Sequence, residues 1–188
     1  MTGLHYVRRA LLILLVFVGV PVQAQTPQDK PGAAEVKPVQ QQVPATPPTT
    51  AVTQAAVQQG ILNCAGRINQ VTNFLGFNNQ SGAVLMTPPN QPDLRLIPLA
   101  MEIPTENGSA YVSAEFAPNQ ANGCGAAYDA VVYWPQRCDI VASRQFAALK
   151  KVGALKKDIT VLDGGLATKV FLMPAGSGCV SIKKEVVL

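Results

Sequence analysis

Four cysteines, at positions 64, 124, 138 and 179, are the residues of this chain best equipped for chemistry. Thiols make zinc sites, redox pairs or disulfides according to their spacing and compartment. No two of these four form a CxxC pair, which argues against a zinc site built from all four. Scattered cysteines of this kind, in an exported chain, read as two disulfides. Three pairings exist for four cysteines, and spacing disfavours one. Residues 126–134 read as a strand between Cys124 and Cys138, and nine extended residues hold its ends roughly 30 Å apart. A disulfide needs Cα atoms within about 7 Å. Cross-links from Cys64 and Cys179 to the middle of the domain are the expected alternative.

Export is written in the first 24 residues. Arg8 and Arg9 precede an apolar run over 10–20, and Val22-Gln23-Ala24 offers small residues where a signal peptidase reads. The run is shorter than the roughly 20 residues a membrane span needs. Residues 1–24 are therefore expected to be a cleavable signal peptide, and the mature chain to be periplasmic or secreted. His5, the only histidine, leaves with that leader. A mature chain without histidine has no Ser-His-Asp or Cys-His nucleophile system and no zinc site that needs histidine.

The remaining motifs for catalysis are weak. Ser181-Ile182-Lys183-Lys184 matches SxxK, whose chemistry needs serine and lysine side by side. These residues read as a strand, where positions i and i+3 point to opposite faces. Gly176-Ser177-Gly178 lacks the GK[ST] ending of a phosphate loop and reads as a hairpin turn beside a disulfide. Glu102 and Glu115 are the one carboxylate pair a hairpin could bring together for acid–base work. No DxDxDG calcium loop is present, and no cofactor or metal is implied.

Two binding candidates stand out instead. Residues 59–136 hold two basic and five acidic side chains, whereas 137–188 hold nine basic and four acidic. Arg144, Lys150, Lys151, Lys156 and Lys157 form a basic cluster expected on a helix and its exit, suited to anionic lipid, cell-wall polymer or an acidic protein. Tyr128, Tyr133 and Trp134 form an aromatic cluster, with Tyr133 and Trp134 as a candidate binding edge at a strand end. Nucleic acid is not an expected partner, because the 59–188 domain carries a net charge of only +2 (11 basic minus 9 acidic).

The elements that must position these residues follow from periodicity. Residues 25–58 are rich in Pro, Gln, Thr and Ala with no aromatic side chain, and read as a disordered spacer. From 59 to 188 the chain reads as a single globular domain. Ile61, Ala65, Ile68, Val71 and Leu75 recur at helical spacing, with Gly76 as the stop. A helix starting as early as Thr53 is weakened by Gly60. Strands are expected at 83–87, 94–103, 111–116, 126–134, 159–162, 169–173 and 180–187, with Pro98 marking an edge or a bulge. The apolar run in 126–134 suggests a strand covered on both faces. A second helix is expected over 140–151, with Asp139 as N-cap and Gly153 as stop. The sum is an α+β domain: a mainly antiparallel sheet of six or seven strands, two helices on one face, and two disulfides.

The expected function is a non-enzymatic exported binding domain, an envelope adaptor or an inhibitor of a secreted partner. A surface-binding protein using the 144–157 basic face is the second reading, and a histidine-free hydrolase using carboxylates is the third.

Overall fold

The computed structural model describes residues 47–187. The expected leader (1–24) and the larger part of the expected spacer (25–46) lie outside the described residues. Helix α1 (Ala51–Gln58) and helix α2 (Ala65–Phe74) precede strands β1 (Gly82–Leu85), β2 (Ile97–Thr105), β3 (Gly108–Asn119) and β4 (Gly123–Trp134). Helix α3 (Cys138–Gln145) leads into β5 (Lys150–Ala154), β6 (Thr160–Asp163), β7 (Thr168–Ala175) and β8 (Gly178–Val187). All eight strands join one antiparallel sheet in the order β1-β2-β3-β4-β8-β7-β6-β5. This is the expected disulfide-bonded α+β class, with eight strands rather than six or seven and three α-helices rather than two among the described residues.

Alternation explains the central strands. In β3, Val112, Ala114 and Phe116 are buried while Tyr111, Ser113 and Glu115 are not. Register carries that parity across the sheet, so the buried residues of β2, β3, β4, β6 and β7 all point to one face. Helices α1 and α2 cover its β2–β4 half through Val52, Ala56, Ile68 and Val71. Helix α3 covers the β6–β8 half through Val141, packed with Leu162, Val170 and Leu172. Among the described residues, no helix covers the opposite face. The double-sided cover expected for β4 is therefore corrected to a single one, and Tyr133 is half exposed on the bare side.

Helix α1 corrects the spacer boundary, because it occupies 51–58 and packs on α2. Thr50 caps it, accepting from the Thr53 amide at 3.3 Å, and its hydroxyl meets that of Thr72 on α2 at 2.9 Å. Asn69 accepts from the Thr50 amide at 3.0 Å and from the Thr53 hydroxyl at 3.2 Å. Both helices then end alike. Gly60 and Gly76 take positive φ (81° and 75°), and the following Ile61 and Phe77 amides reach back to the Ala56 and Thr72 carbonyls.

The second expected helix is corrected at both ends. It begins at Cys138, with Asp139 inside its first turn rather than capping it, and it ends at Gln145. Residues 150–154 are instead the edge strand β5, paired with β6 through a bulge at Lys151/Gly153. Pro98 also has a different meaning. It lies in β2, the second strand of the sheet, and its carbonyl takes the Met86 amide just past the end of β1. Pro104 stands on the same side of β2. Neither proline offers an N–H toward β1, which confines that strand to pairing with residues 99–102. The β2–β3 turn is centred on Glu106-Asn107, one residue earlier than the Asn107-Gly108 signal suggests.

Candidate functional site

Two disulfides, Cys64–Cys124 and Cys138–Cys179, join the cysteines as the strand-length argument expects and leave no free thiol for a zinc site. Each ties the start of a helix, α2 or α3, to the start of a strand, β4 or β8. Both helices are thus anchored at one end over the same sheet face.

On the helix-covered face, a polar cluster lies where β4 meets β8. Register sets Tyr128 of β4 opposite Glu185 of β8, with Lys183 two residues along on the same face. Tyr128 donates to Glu185 at 3.0 Å, Lys183 donates to the Tyr128 hydroxyl at 3.0 Å, and Lys183 pairs with Glu185 at 2.5 Å. The Lys183 ammonium also lies 5.5 Å from the ring centres of Tyr128 and of Phe74 on α2. This triangle borders a cleft of about 310 Å³ lined by Gln70, Val71, Phe74, Tyr128, Ala167 and Glu185, among others.

The cluster's electrostatics follow from its geometry. Burial raises the Tyr128 phenol above its ordinary range, and the opposing pull of Lys183 does not reverse this. Burial alone would lower Lys183, but its bonds to Glu185 and Tyr128 outweigh that effect and raise it. Burial alone would raise Glu185, and the Lys183 bond and charge carry it below the usual carboxylate range. At neutral pH the phenol is therefore protonated, the amine charged and the carboxylate charged. Such a group can hold and orient a ligand in the cleft.

The bare sheet face is the second feature. Tyr111, Val131, Ile182, Phe171 and Val161 stand directly across from one another on β3, β4, β8, β7 and β6. They form one apolar row across five strands, with Tyr111 53% exposed. Beside it, Tyr133, Val180 and Met173 form a shorter apolar row. On the other side lies a row of polar and charged residues: Ser113, Asp129, Lys184, Lys169, Asp163 and Lys150. Lys184 pairs with Asp129 at 2.8 Å and Lys169 with Asp163 at 2.8 Å.

The sequence-derived candidates are spread over this frame. Arg144 lies in the last turn of α3, Lys150 and Lys151 lie on β5, and Lys156 and Lys157 lie in the β5–β6 connection. Lys150 shares a face with Asp163, whereas Lys151 stands opposite buried Leu162 and so points the other way. The five cations therefore do not form one helix face. The aromatic cluster also divides. Tyr133 is on the bare face, while Trp134 points to the helical side, packs against the α3 core and donates Nε1–H to the buried Ser181 hydroxyl at 2.7 Å. Tyr128 is on the helical side, six residues away along β4.

Ser181 and Lys184 of the SxxK match face opposite sides of β8, as expected for a strand. Glu102 and Glu115 do not meet. Glu102 stands opposite Tyr111, four residues and about 13 Å along β3 from Glu115. The Tyr128–Lys183–Glu185 cluster went unseen in the sequence, because its members lie up to 57 residues apart and it depends on the β4–β8 register.

Fold and site together define a class: a disulfide-bonded α+β domain whose antiparallel sheet has one helix-covered face and one bare face. Compared with known protein families, curated protein sequences and solved structures, the chain matches none.

Proposed function

We propose that this chain is an exported, non-enzymatic binding domain that recognises another envelope or secreted protein, as an adaptor or an inhibitor. The carrying observation is the five-strand apolar row from Tyr111 to Val161, flanked on one side by a row carrying charges of both signs, on a face that no helix of the described residues covers. Flat apolar strips with polar margins suit protein contacts, where aromatic and branched side chains supply area and rim charges set orientation. Two disulfides fit an oxidising compartment. Periplasmic or extracellular residence is part of this proposal and rests on the leader-like first 24 residues.

A second reading draws on the exposure of Arg144, Lys151, Lys156 and Lys157, none of which forms an ion pair among the described residues. It assigns them to anionic lipid or polymer. Capture from an envelope extract with the oxidised protein, at low and high salt, separates the two. The protein-binding reading expects a partner retained at high salt and lost on Tyr111→Glu with Tyr133→Glu, both exposed positions. Capture that disappears with salt and with Lys156→Glu and Lys157→Glu, yet ignores the tyrosine changes, would replace it with the surface-binding reading.

A further inference from the structure

Among the described residues the sheet has two free edges, and they are built differently. At one, β5 carries Lys150 and Lys151, a bulge, and Gly153 at φ 145°, all features that discourage another strand from adding. At the other, β1 is Gly82-Ala83-Val84-Leu85, regular in register with β2 and without charge, proline or bulge. Between residues 47 and 92 the one charged side chain is Arg67. Helix α1 and strand β1, which flank this edge, carry none.

Backbone geometry fixes what β1 offers. The Met86 amide bonds to the Pro98 carbonyl of β2, so by antiparallel alternation the amides of Val84 and Gly82 also face β2. The N–H and C=O groups of Ala83 and Leu85 therefore point out of the sheet. Neither residue has a hydrogen-bond partner on that side among the described residues. A groove of about 350 Å³ runs beside the strand, between Ala51, Val52, Ala55 and Gln59 on α1 and Ala83 and Leu85 on β1.

We infer that this edge pairs with the same edge of a second copy, joining two sheets into one. Ala83 and Leu85 are symmetric about Val84. A two-fold axis beside Val84 sets Ala83 of each copy opposite Leu85 of the other, and each such pair exchanges two bonds, four in all. The Val84 side chain, 64% exposed, then meets its symmetry mate on the bare face, while Ala83 and Leu85 line the groove beside α1. Charge argues for a like copy here. The domain is basic overall, and this nearly charge-free edge is where two copies approach with least repulsion. The inference does not rest on the partner-binding reading, because it is carried by the backbone of β1, whereas that reading is carried by the apolar row starting at Tyr111 on β3 of the same face.

The test is sedimentation of the oxidised, secreted protein from micromolar to millimolar concentration, with amide exchange followed by NMR. The expected result is a monomer–dimer equilibrium in which the Ala83 and Leu85 amides become protected as dimer forms. Ala83→Pro removes an outward N–H that the β1–β2 ladder does not use, so the monomer keeps its fold. It deletes two of the four bonds and raises the dissociation constant about ten- to hundred-fold. Val84→Lys sets two ammonium groups together at the axis, and its dimer recovers with added salt. A protein monomeric at millimolar concentration would overturn the inference. So would a dimer that tolerates Ala83→Pro, or one in which the Ala83 and Leu85 amides exchange as in the monomer.

Discussion

Lys183 illustrates how one side chain joins two halves of a molecule. Neither helical cap reaches fully over the β4–β8 seam, and an unpaired ammonium there would be costly. The carboxylate of Glu185, the Tyr128 hydroxyl and two ring faces together hold it. The pH dependence follows from the directions of shift. Glu185 titrates lower in the folded protein, so its contribution is present above the unfolded carboxylate pKa of about 4.3 and is lost as pH falls. Lys183 and Tyr128 titrate higher, so theirs is present below about pH 10 and is lost as pH rises. Stability is thus expected to plateau between these limits. Urea unfolding of Glu185→Gln across the acid range should show lower stability than wild type at neutral pH and a shallower loss toward pH 3. Parallel profiles would mean that the ion pair does not hold the seam.

At the scale of elements, α1 and β5 are the instructive departures. Helix α1 buries only Val52, Thr53 and Ala56, too little apolar periodicity to separate it from the Pro- and Gln-rich stretch before it. What holds it is the threonine and asparagine network to α2, a contact sixteen and more residues away in sequence. Thr50→Ala should therefore cost about 0.5–2 kcal/mol in denaturant unfolding, and Thr50→Ser should recover most of it. An Ala variant as stable as wild type would mean that the cap is dispensable. Strand β5 is the converse case. All five of its residues are exposed, so no burial pattern marks it as strand or helix. Pairing with β6 decides, and Lys150 and Lys151, expected at the end of a helix, fall on opposite sides of a strand.

For the molecule as a whole, each disulfide anchors one of two helical caps, and the caps enclose separate cores. Cross-links 60 and 41 residues apart restrict the unfolded chain by about 4 kcal/mol each on the loop-entropy account. The two are not equivalent in place. Cys138→Ala with Cys179→Ala should speed amide exchange in α3, β6 and β7 while leaving β2 and β3 protected. Uniform loosening of the whole sheet would mean instead that the two cores unfold as one.

Local pattern determined the composition of the buried face, the sheet's antiparallel character and the implausible Cys124–Cys138 pairing. These depend on alternation, chain length and turn residues, all of which are properties of near neighbours. Tertiary structure alone decided that β5 is a strand, that Tyr128 meets Lys183, that one sheet face stays bare, and which edge is left unguarded. Each is a matter of register or coverage between segments distant in sequence. A one-residue slip there would turn every side chain to the opposite face, and no local pattern records it.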